Sequence, residues 1–434
     1  MLSMLSQIGT IIVNQVLTKT EIVMSLISLI GLILLKKPIE KVISGVIKTY
    51  IGVTIFSLGL TAVQDTVAIF TSMFSHLIAG GELTQTIQVP VNFDALQTSA
   101  AAGYMLLIGY VVNILIARFT KIKIIYLTGH WSYFMGQFLA ACLMNYLGIV
   151  GPASIITGGV ILGIYQAVFP YLVQPYTRKL TGNDNFALGH GASIFALFGA
   201  WLGSKIGNPE KSCEDLEVPD RFSFLKEIVV TLSLTMVLMY VALAVANGKA
   251  YVDSLSGGQN WILYAVFQGL KFTASYMVLL YGIRSFLAEI TPAFQGISTR
   301  LVPGAIPAFD APVFFQYGNT SLIIGFISST VFSALGMVIL MKMNLPVPVM
   351  MINVENFFGG GLVAVYANKF GGRRAAIICS ALYGLIVTMT RALYFPMITP
   401  QLDWAQTACD ADQMVVITLT GWIGKVFGLA QYSW

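Results

Sequence analysis

The sequence predicts an all-α, polytopic membrane protein of about eleven transmembrane helices. Two observations support this prediction. The 434 residues are 56% hydrophobic and only 10% charged, whereas a soluble globular domain carries about 25% charged residues. Apolar runs that approach the length of a helical span, about 20 residues, recur along the whole chain.

Ten apolar runs are interpreted as spans. They lie near residues 20–35, 50–64, 99–117, 124–146, 152–174, 228–246, 261–283, 320–341, 375–395 and 413–431. An eleventh candidate, residues 301–317, contains three prolines and would therefore be kinked. Residues 2–17 lack the basic start and the cleavage site of a signal peptide. Their apolar positions recur at helical spacing, which predicts an amphipathic helix on the membrane or a part of the first span.

The basic residues predict the orientation of the chain. They cluster at Lys36, Lys37, Lys41 and Lys48, at Arg118, Lys121 and Lys123, and at Arg178 and Lys179. Residues 61–117 and 124–177 contain no lysine or arginine. By the positive-inside rule the clusters face the cytoplasm and the N-terminus faces outside. The net charge of +5 is therefore attributed to membrane topology and not to nucleic-acid binding. The largest cytoplasmic loop is then 205–227, which fits a docking surface and a solvated linker equally well.

Two further apolar segments predict re-entrant hairpins. Residues 188–203 are too short to cross the bilayer, and basic residues predicted to be cytoplasmic flank them on both sides. Residues 344–370 carry a proline pair, a glycine triplet and a glutamate. Irregular backbone at membrane depth is tolerated where protein or a water-filled cavity satisfies it. Glycine-interrupted segments in the two halves of a chain therefore point to a transport site.

The two halves also resemble each other elsewhere. Residues 36–50 and 284–301 each place apolar side chains on one helical face and polar ones on the other. This pattern predicts two amphipathic helices in the cytoplasmic interface, each preceding a span. We therefore expect one membrane domain, residues 1–434, composed of repeated halves at roughly 1–226 and 227–434.

Polar side chains within the apolar runs mark the candidate site, because an ionisable group at the bilayer centre costs ~2.5–3.5 kcal/mol or more. The candidates are His130, His190, Asp310 and Glu355, with Gln137 and Asn353 in support. Imidazoles and carboxylates suit a polyhydroxylated solute, since they exchange hydrogen bonds with hydroxyl groups. The same groups also suit a proton relay, and a single buried histidine is often only a packing residue.

Other residue types in the sequence bear on the site, on metal binding, on helix packing and on the energy source. The aromatic residues near the candidates either stack on a sugar ring or pack; they are Trp131, Tyr133, Phe357 and Phe358. The four cysteines are far apart and form no C-x-x-C pair, so neither a metal nor a cofactor is expected. The GxxxG pairs Gly159–Gly163 and Gly199–Gly203 predict close helix packing. No nucleotide-binding motif is present, so we expect a gradient or partner proteins to supply the energy.

The stretch FLAEITPAFQGISTRLVPGAIPAFD, residues 286–310, resembles the signature region of the ascorbate-type enzyme IIC family. These proteins are membrane components of the bacterial phosphoenolpyruvate-dependent phosphotransferase system (PTS). Shorter blocks agree, namely IKTYIG at 47–52, LTGH at 127–130, GH at 189–190 and ANKFGGRRAA at 367–376. The resemblance runs the full length of the chain.

The resemblance implies a homodimer in the bacterial cytoplasmic membrane, whose protomers have inverted repeats, a scaffold domain and a mobile core domain. The core would carry the sugar inward by an elevator-like movement. A separate IIB subunit, supplied with phosphate by IIA, would then phosphorylate the sugar. The chain itself would be the transport subunit, without a phosphorylation site and without a IIA or IIB domain. The substrate residues of the family map onto His130, His190 and Asp310.

Several positions depart from the family pattern. Ascorbate-binding members carry glutamines directly after the second histidine and four residues after the first, where this chain has Gly191, Ala192 and Phe134. Glu355 replaces an apolar residue. Ascorbate is an anion at neutral pH, so buried Asp310 and Glu355 would repel it unless one is protonated. We expect a PTS permease for L-ascorbate or a related sugar. The alternatives are a neutral sugar or polyol as cargo, and a proton- or sodium-coupled secondary transporter.

Overall fold

The computed structural model describes residues 19–79, 95–216, 228–300, 302–343, 356–398 and 410–432. Helices dominate it, and three short strands lie between them. In chain order the elements are α1 (Thr20–Leu34), α2 (Ile39–Ala79), α3 (Ala95–Phe119), β1 (Ile124–Tyr126), α4 (Gly129–Ala141), α5 (Pro152–Thr181), β2 (Ala187–Leu188), α6 (Ser193–Ile206), α7 (Ile228–Asn247), α8 (Lys249–Ser256), α9 (Trp261–Arg300), β3 (Ile306–Phe309), α10 (Pro312–Phe315), α11 (Asn319–Lys342), α12 (Gly361–Ile398) and α13 (Ala411–Val426). Single π-helical turns, Cys142–Tyr146 and Asn356–Gly360, extend α4 and precede α12.

Six of the described helices are long and apolar enough to cross a membrane. Their apolar segments are Ile39–Phe70, Ala101–Phe119, Pro152–Thr181, Trp261–Ile290, Asn319–Leu340 and Asn356–Ile398. Shorter apolar helices cover Met24–Leu34, Ser193–Ile206 and Leu232–Asn247. The mostly helical, polytopic architecture is therefore confirmed, whereas the total of about eleven spans stays a prediction.

Two predicted spans are wrong as continuous helices. Residues 124–146 begin as strand β1, and α4 starts only at Gly129. Residues 302–317 form β3 and the one-turn helix α10. Proline lacks the N–H that a helix interior requires, which explains why the second run is not a span. The first run resembles a span in sequence because an apolar stretch fits a buried strand as well as a helix.

The two predicted amphipathic helices are the ends of longer helices. Residues 39–50 form the beginning of the 41-residue α2, and residues 284–300 form the end of the 40-residue α9. The two helices pack antiparallel, since Gly52 lies against Phe286 and Gly59 against Leu279. Separate interfacial helices were predicted because amphipathicity reports which face is buried and does not report where a helix ends.

A three-stranded parallel sheet lies between the long helices. β3 is central, with β1 on one side and β2 on the other. Ile124 pairs with Ile306, and Leu188 pairs with Phe309. The sequence interpretation as an all-α protein missed this sheet. Because all three strands are parallel, their carboxyl ends lie at one edge.

The two segments predicted to be re-entrant contribute short helices that pack together. α6 has 14 residues, which is too short to span a bilayer. Of the second segment, residues 344–355 lie outside the described residues, and the rest form the π-helical turn and the start of α12. A kink at Gly372, whose φ is 65°, separates this first part of α12 from the remainder. The GxxxG residues Gly199 and Gly203 face it, so their predicted packing role is confirmed.

Candidate functional site

The three residues that motifs single out most strongly follow the carboxyl ends of the three strands. Asp310 follows β3 directly, His190 lies two residues beyond β2, and His130 is the second residue of α4, four residues beyond β1. Thr128 ties two of these exits together, because its Oγ1 donates to the carbonyl oxygen of Gly189 at 2.7 Å. Short parallel strands therefore bring these three parts of the sequence to one edge of the sheet.

His190 lies between two carboxyl groups. Its Nε2 is 3.8 Å from Oδ1 of Asp310, and its Nδ1 is 3.7 Å from Oδ2 of Asp410. Both distances exceed an ordinary hydrogen bond. The backbone N–H of Ala192 donates to Nδ1 at 3.0 Å, which assigns the proton of the neutral ring to Nε2 on the Asp310 side. The ring is 1% exposed and lies edge-to-face with Trp131, their centroids 4.7 Å apart.

Asp410 is a buried acid at the start of the last described helix. It is the N-cap of α13, where its Oδ1 accepts from the N–H of Ala411 at 2.6 Å. The hydroxyl of Tyr383 donates to the same oxygen at 2.6 Å. Gly359, in the π-helical turn, packs against this pair so closely that a Cβ there would lie 2.9 Å from Oδ2 of Asp410. The π-helical turn Asn356–Gly360 therefore packs directly against Asp410 and Tyr383.

Asp412 connects α13 to the segment that carries His190. Its carboxyl oxygens accept from the N–H groups of Ser193 at 3.2 Å and Ile194 at 2.9 Å, in the first turn of α6. Its own N–H donates to the carbonyl oxygen of Gly191 at 2.6 Å. A helix begins with N–H groups that lack partners within the helix. Asp412 supplies acceptors from another helix and so fixes the turn that positions His190.

Asp310 faces the helices α1, α2 and α9. Its side chain is 12% exposed, and its Oδ1 accepts from the N–H of Ala311 at 2.8 Å. Beside it lies a hollow of about 20 Å³. The residues around this hollow are Met24, Val53, Phe56, Thr128, Phe286, Phe309, Asp310 and Val313. The volume fits about one water molecule and is far below the ~300–1,000 Å³ of typical ligand pockets.

The comparisons with known proteins agree with the resemblance seen in the sequence. The family model described as the PTS system sugar-specific permease component, EIIC-GAT, matches residues 15–413. A curated relative, the ascorbate-specific PTS system EIIC component of Mycoplasma pneumoniae, is 26% identical over 441 residues. That alignment covers 87% of this chain and 65% of the relative, so the chain spans slightly less than two thirds of the relative's length.

The chain belongs to the EIIC-GAT family of PTS permeases. The polar cluster at the strand ends therefore lies in a member of a family of membrane permeases, and buried ionisable groups in membrane proteins mark candidate solute or proton sites. Hydroxyls, imidazoles and carboxyl groups can exchange several hydrogen bonds with a polyhydroxylated solute.

The remaining predicted site residues have different positions. Gln137 is buried in α4, seven residues and hence about two helical turns beyond His130. Glu355 and Asn353 lie outside the described residues. Phe357 and Phe358 contact each other edge-to-face, their centroids 5.1 Å apart, and both contact Phe315 in an aromatic cluster. Those contacts support packing for these two rings, whereas Trp131 lies directly against His190.

Sequence reasoning missed the contribution of α13 to this cluster of the permease. Asp410 and Asp412 are fully buried, Asp410 lies beside His190, and the hydroxyl of Tyr383 donates to Asp410 from α12. The available signal was the sequence D-A-D directly before the apolar run 413–431. Two acids at the start of a helix are commonly a surface N-cap, so this signal alone does not point to a site.

A larger cavity lies elsewhere in the permease and is not the candidate site. It has a volume of about 360 Å³ between the α4 extension, α5 and α13. Its walls are mostly aliphatic and include Leu143, Ile161, Val416 and Ile423. A sugar would leave most of its hydroxyls unpaired there, and each unpaired group costs free energy. The strand ends offer the better chemistry even though the hollow beside them is smaller.

Proposed function

We propose that this protein binds and translocates L-ascorbate or a related sugar, which a separate IIB subunit then phosphorylates. The observation that carries the proposal is that the segments bearing His130, His190 and Asp310 follow the carboxyl ends of three parallel strands of one sheet. The name of the M. pneumoniae relative supports ascorbate as the first cargo to test. Gln137, Glu355 and Asn353 belong to the proposed site as further hydrogen-bonding groups.

The site requires a movement to admit a sugar. Asp310 borders a hollow of only about 20 Å³, closed on its far side by Phe56 of α2 and Phe286 of α9. Displacement of the strand ends relative to these helices would open it. We propose that this movement is an elevator-like displacement of a core domain against a scaffold. The permease would act as a homodimer in the bacterial membrane, with its N-terminus outside.

The charge of the site favours a neutral cargo within the same proposal. Asp310 and Asp410 flank His190, which is their cationic partner only when it is protonated. At an effective dielectric of 20, two like charges 4 Å apart repel by about 4 kcal/mol. An anionic cargo therefore needs protonated carboxyl groups, whereas a neutral sugar or polyol does not.

The first test measures binding to the purified protein. L-Ascorbate, D-xylose, D-glucose and D-mannitol are titrated against wild type and against His190→Ala. We expect one of the probes to bind wild type and His190→Ala to weaken that binding at least tenfold, which is about 1.4 kcal/mol. His76→Ala is the matched control, because His76 bonds to Asn247 at 2.8 Å and stacks on Tyr251, away from the strand ends. Equal affinity of His190→Ala and wild type would exclude His190 from the site.

The second test separates group translocation from gradient-driven transport. Inverted vesicles with IIB, IIA, the general PTS proteins and phosphoenolpyruvate should form the sugar phosphate. A proton-coupled transporter is the second candidate, because His190 lies between Asp310 and Asp410 and such a row could relay protons. Accumulation of unmodified sugar under an imposed proton gradient, without the relay proteins, would favour that candidate and contradict the first.

A further inference from the structure

The side-chain amide of Gln413 is buried near the strand ends without a hydrogen-bond partner among the described residues. Gln413 is the third residue of α13 and is 0% exposed. Within the part of the chain that the structure describes, neither its Oε1 nor its Nε2 has a hydrogen-bond partner. Leaving a buried polar group unpaired costs about 1–3 kcal/mol. A buried amide with both ends unpaired therefore calls for a physical reason.

The position of this amide connects it to the candidate site. A Cβ added to Gly191 would lie 2.8 Å from Oε1 of Gln413, 3.0 Å from Cζ3 of Trp131 and 3.0 Å from Cβ of Asp410. The amide thus lies against the bare α-carbon of the residue that follows His190. Any side chain at position 191 would occupy the space that the amide now uses.

The chemistry of an amide suits one class of ligand. Gln413 offers a donor and an acceptor in one plane and carries no charge. A pair of neighbouring hydroxyl groups can satisfy both ends, one accepting and one donating. An amide also does not repel an anion, in contrast to the carboxyl groups of Asp310 and Asp410.

We propose that Gln413 is a specificity-determining residue whose amide binds a vicinal diol of the cargo. Gly191, which has no side chain, leaves the space that this amide occupies. The proposal rests on the function proposed above and adds a residue from α13 to the site. The competing explanation is structural, since a buried water bonded to the amide would serve equally well in the empty protein. The two explanations differ in what happens to cargo binding when the amide is removed.

The experiment compares binding and stability in Gln413→Met, which keeps the length of the side chain and removes the amide. We expect its Kd for the probe that binds wild type, L-ascorbate or one of the three neutral solutes, to rise about tenfold. The melting temperature without ligand should stay the same or rise, because an unpaired polar group is replaced by an apolar one. Thr418→Val is the matched control, since the Oγ1 of Thr418 is likewise buried and unpaired among the described residues of the same helix. Its Kd should equal that of wild type.

A second variant, at Gly191, crowds the amide of Gln413 and leaves Gln413 itself unchanged. Gly191→Ala should displace the amide and weaken binding, and the double variant should lose less affinity than the sum of the two single changes. An unchanged Kd in Gln413→Met or, if that variant does not fold, in Gly191→Ala overturns the proposal while the function stands. If none of the four probes binds wild type, the proposed function fails and this inference fails with it.

Discussion

Replacing Asp412 with alanine removes the acceptor that joins α13 to the first turn of α6. Two backbone donors lose their partner, namely the N–H groups of Ser193 at 3.2 Å and Ile194 at 2.9 Å. Each buried donor left unpaired costs about 1–3 kcal/mol, so Asp412→Ala should lower the free energy of unfolding by about 2–6 kcal/mol. The hydroxyl of Tyr165, 3.4 Å away, adds little.

The matched control is Asp184→Asn. Asp184 also accepts two hydrogen bonds, from Arg178 and Gln174, but its side chain is 49% exposed. Exposed ion pairs contribute about 0–1 kcal/mol, so the control should change stability little. The measurement is unfolding in mixed micelles by circular dichroism, together with amide hydrogen exchange at Ser193 and Ile194. Equal unfolding free energies for the two variants, or unchanged exchange in Asp412→Ala, would refute the role given to Asp412.

Three further predictions concern the supporting structure, each measured as the free energy of unfolding in mixed micelles. Gly372→Ala should cost more than Gly182→Ala: both residues have positive φ, but only at Gly372 would a Cβ collide with backbone carbonyl oxygens. A difference near zero would contradict this packing. Thr128→Val should cost about 1 kcal/mol, because it breaks the hydrogen bond between the segment after β1 and the segment after β2. It should also weaken sugar binding, and normal binding would show that Thr128 does not support the site. Lys48→Gln should cost under about 1 kcal/mol, since Lys48 is exposed and its partner Glu289 is partly exposed; a larger loss would contradict this weak pairing of α2 and α9.

Three of the candidate site residues that the sequence predicts follow the carboxyl ends of the three strands. His130, His190 and Asp310 stood out because polar groups are costly within apolar runs and because family motifs contain them. Their common location could not be predicted from the sequence, since it depends on strands of two to four residues. Such short apolar strands carry no periodicity that separates them from a buried helix.

The role of α13 was unpredictable for a different reason. Asp410, Asp412 and Gln413 precede or begin an apolar run, where an acid is commonly a solvent-exposed cap. Only tertiary packing places them beside Gly191 and His190. The boundaries of α2 and α9 were likewise hidden, because amphipathic patterning continues through a helix without marking its end.

The most direct test of the account is a structure of the permease with bound cargo, determined by electron cryomicroscopy in the presence of the probe that binds most tightly. The account predicts density for the sugar at the carboxyl ends of the three strands, within hydrogen-bond distance of His190 and Asp310. Sugar density in the aliphatic cavity beside Leu143 and Val416, or anywhere else with the strand ends still closed, would contradict it.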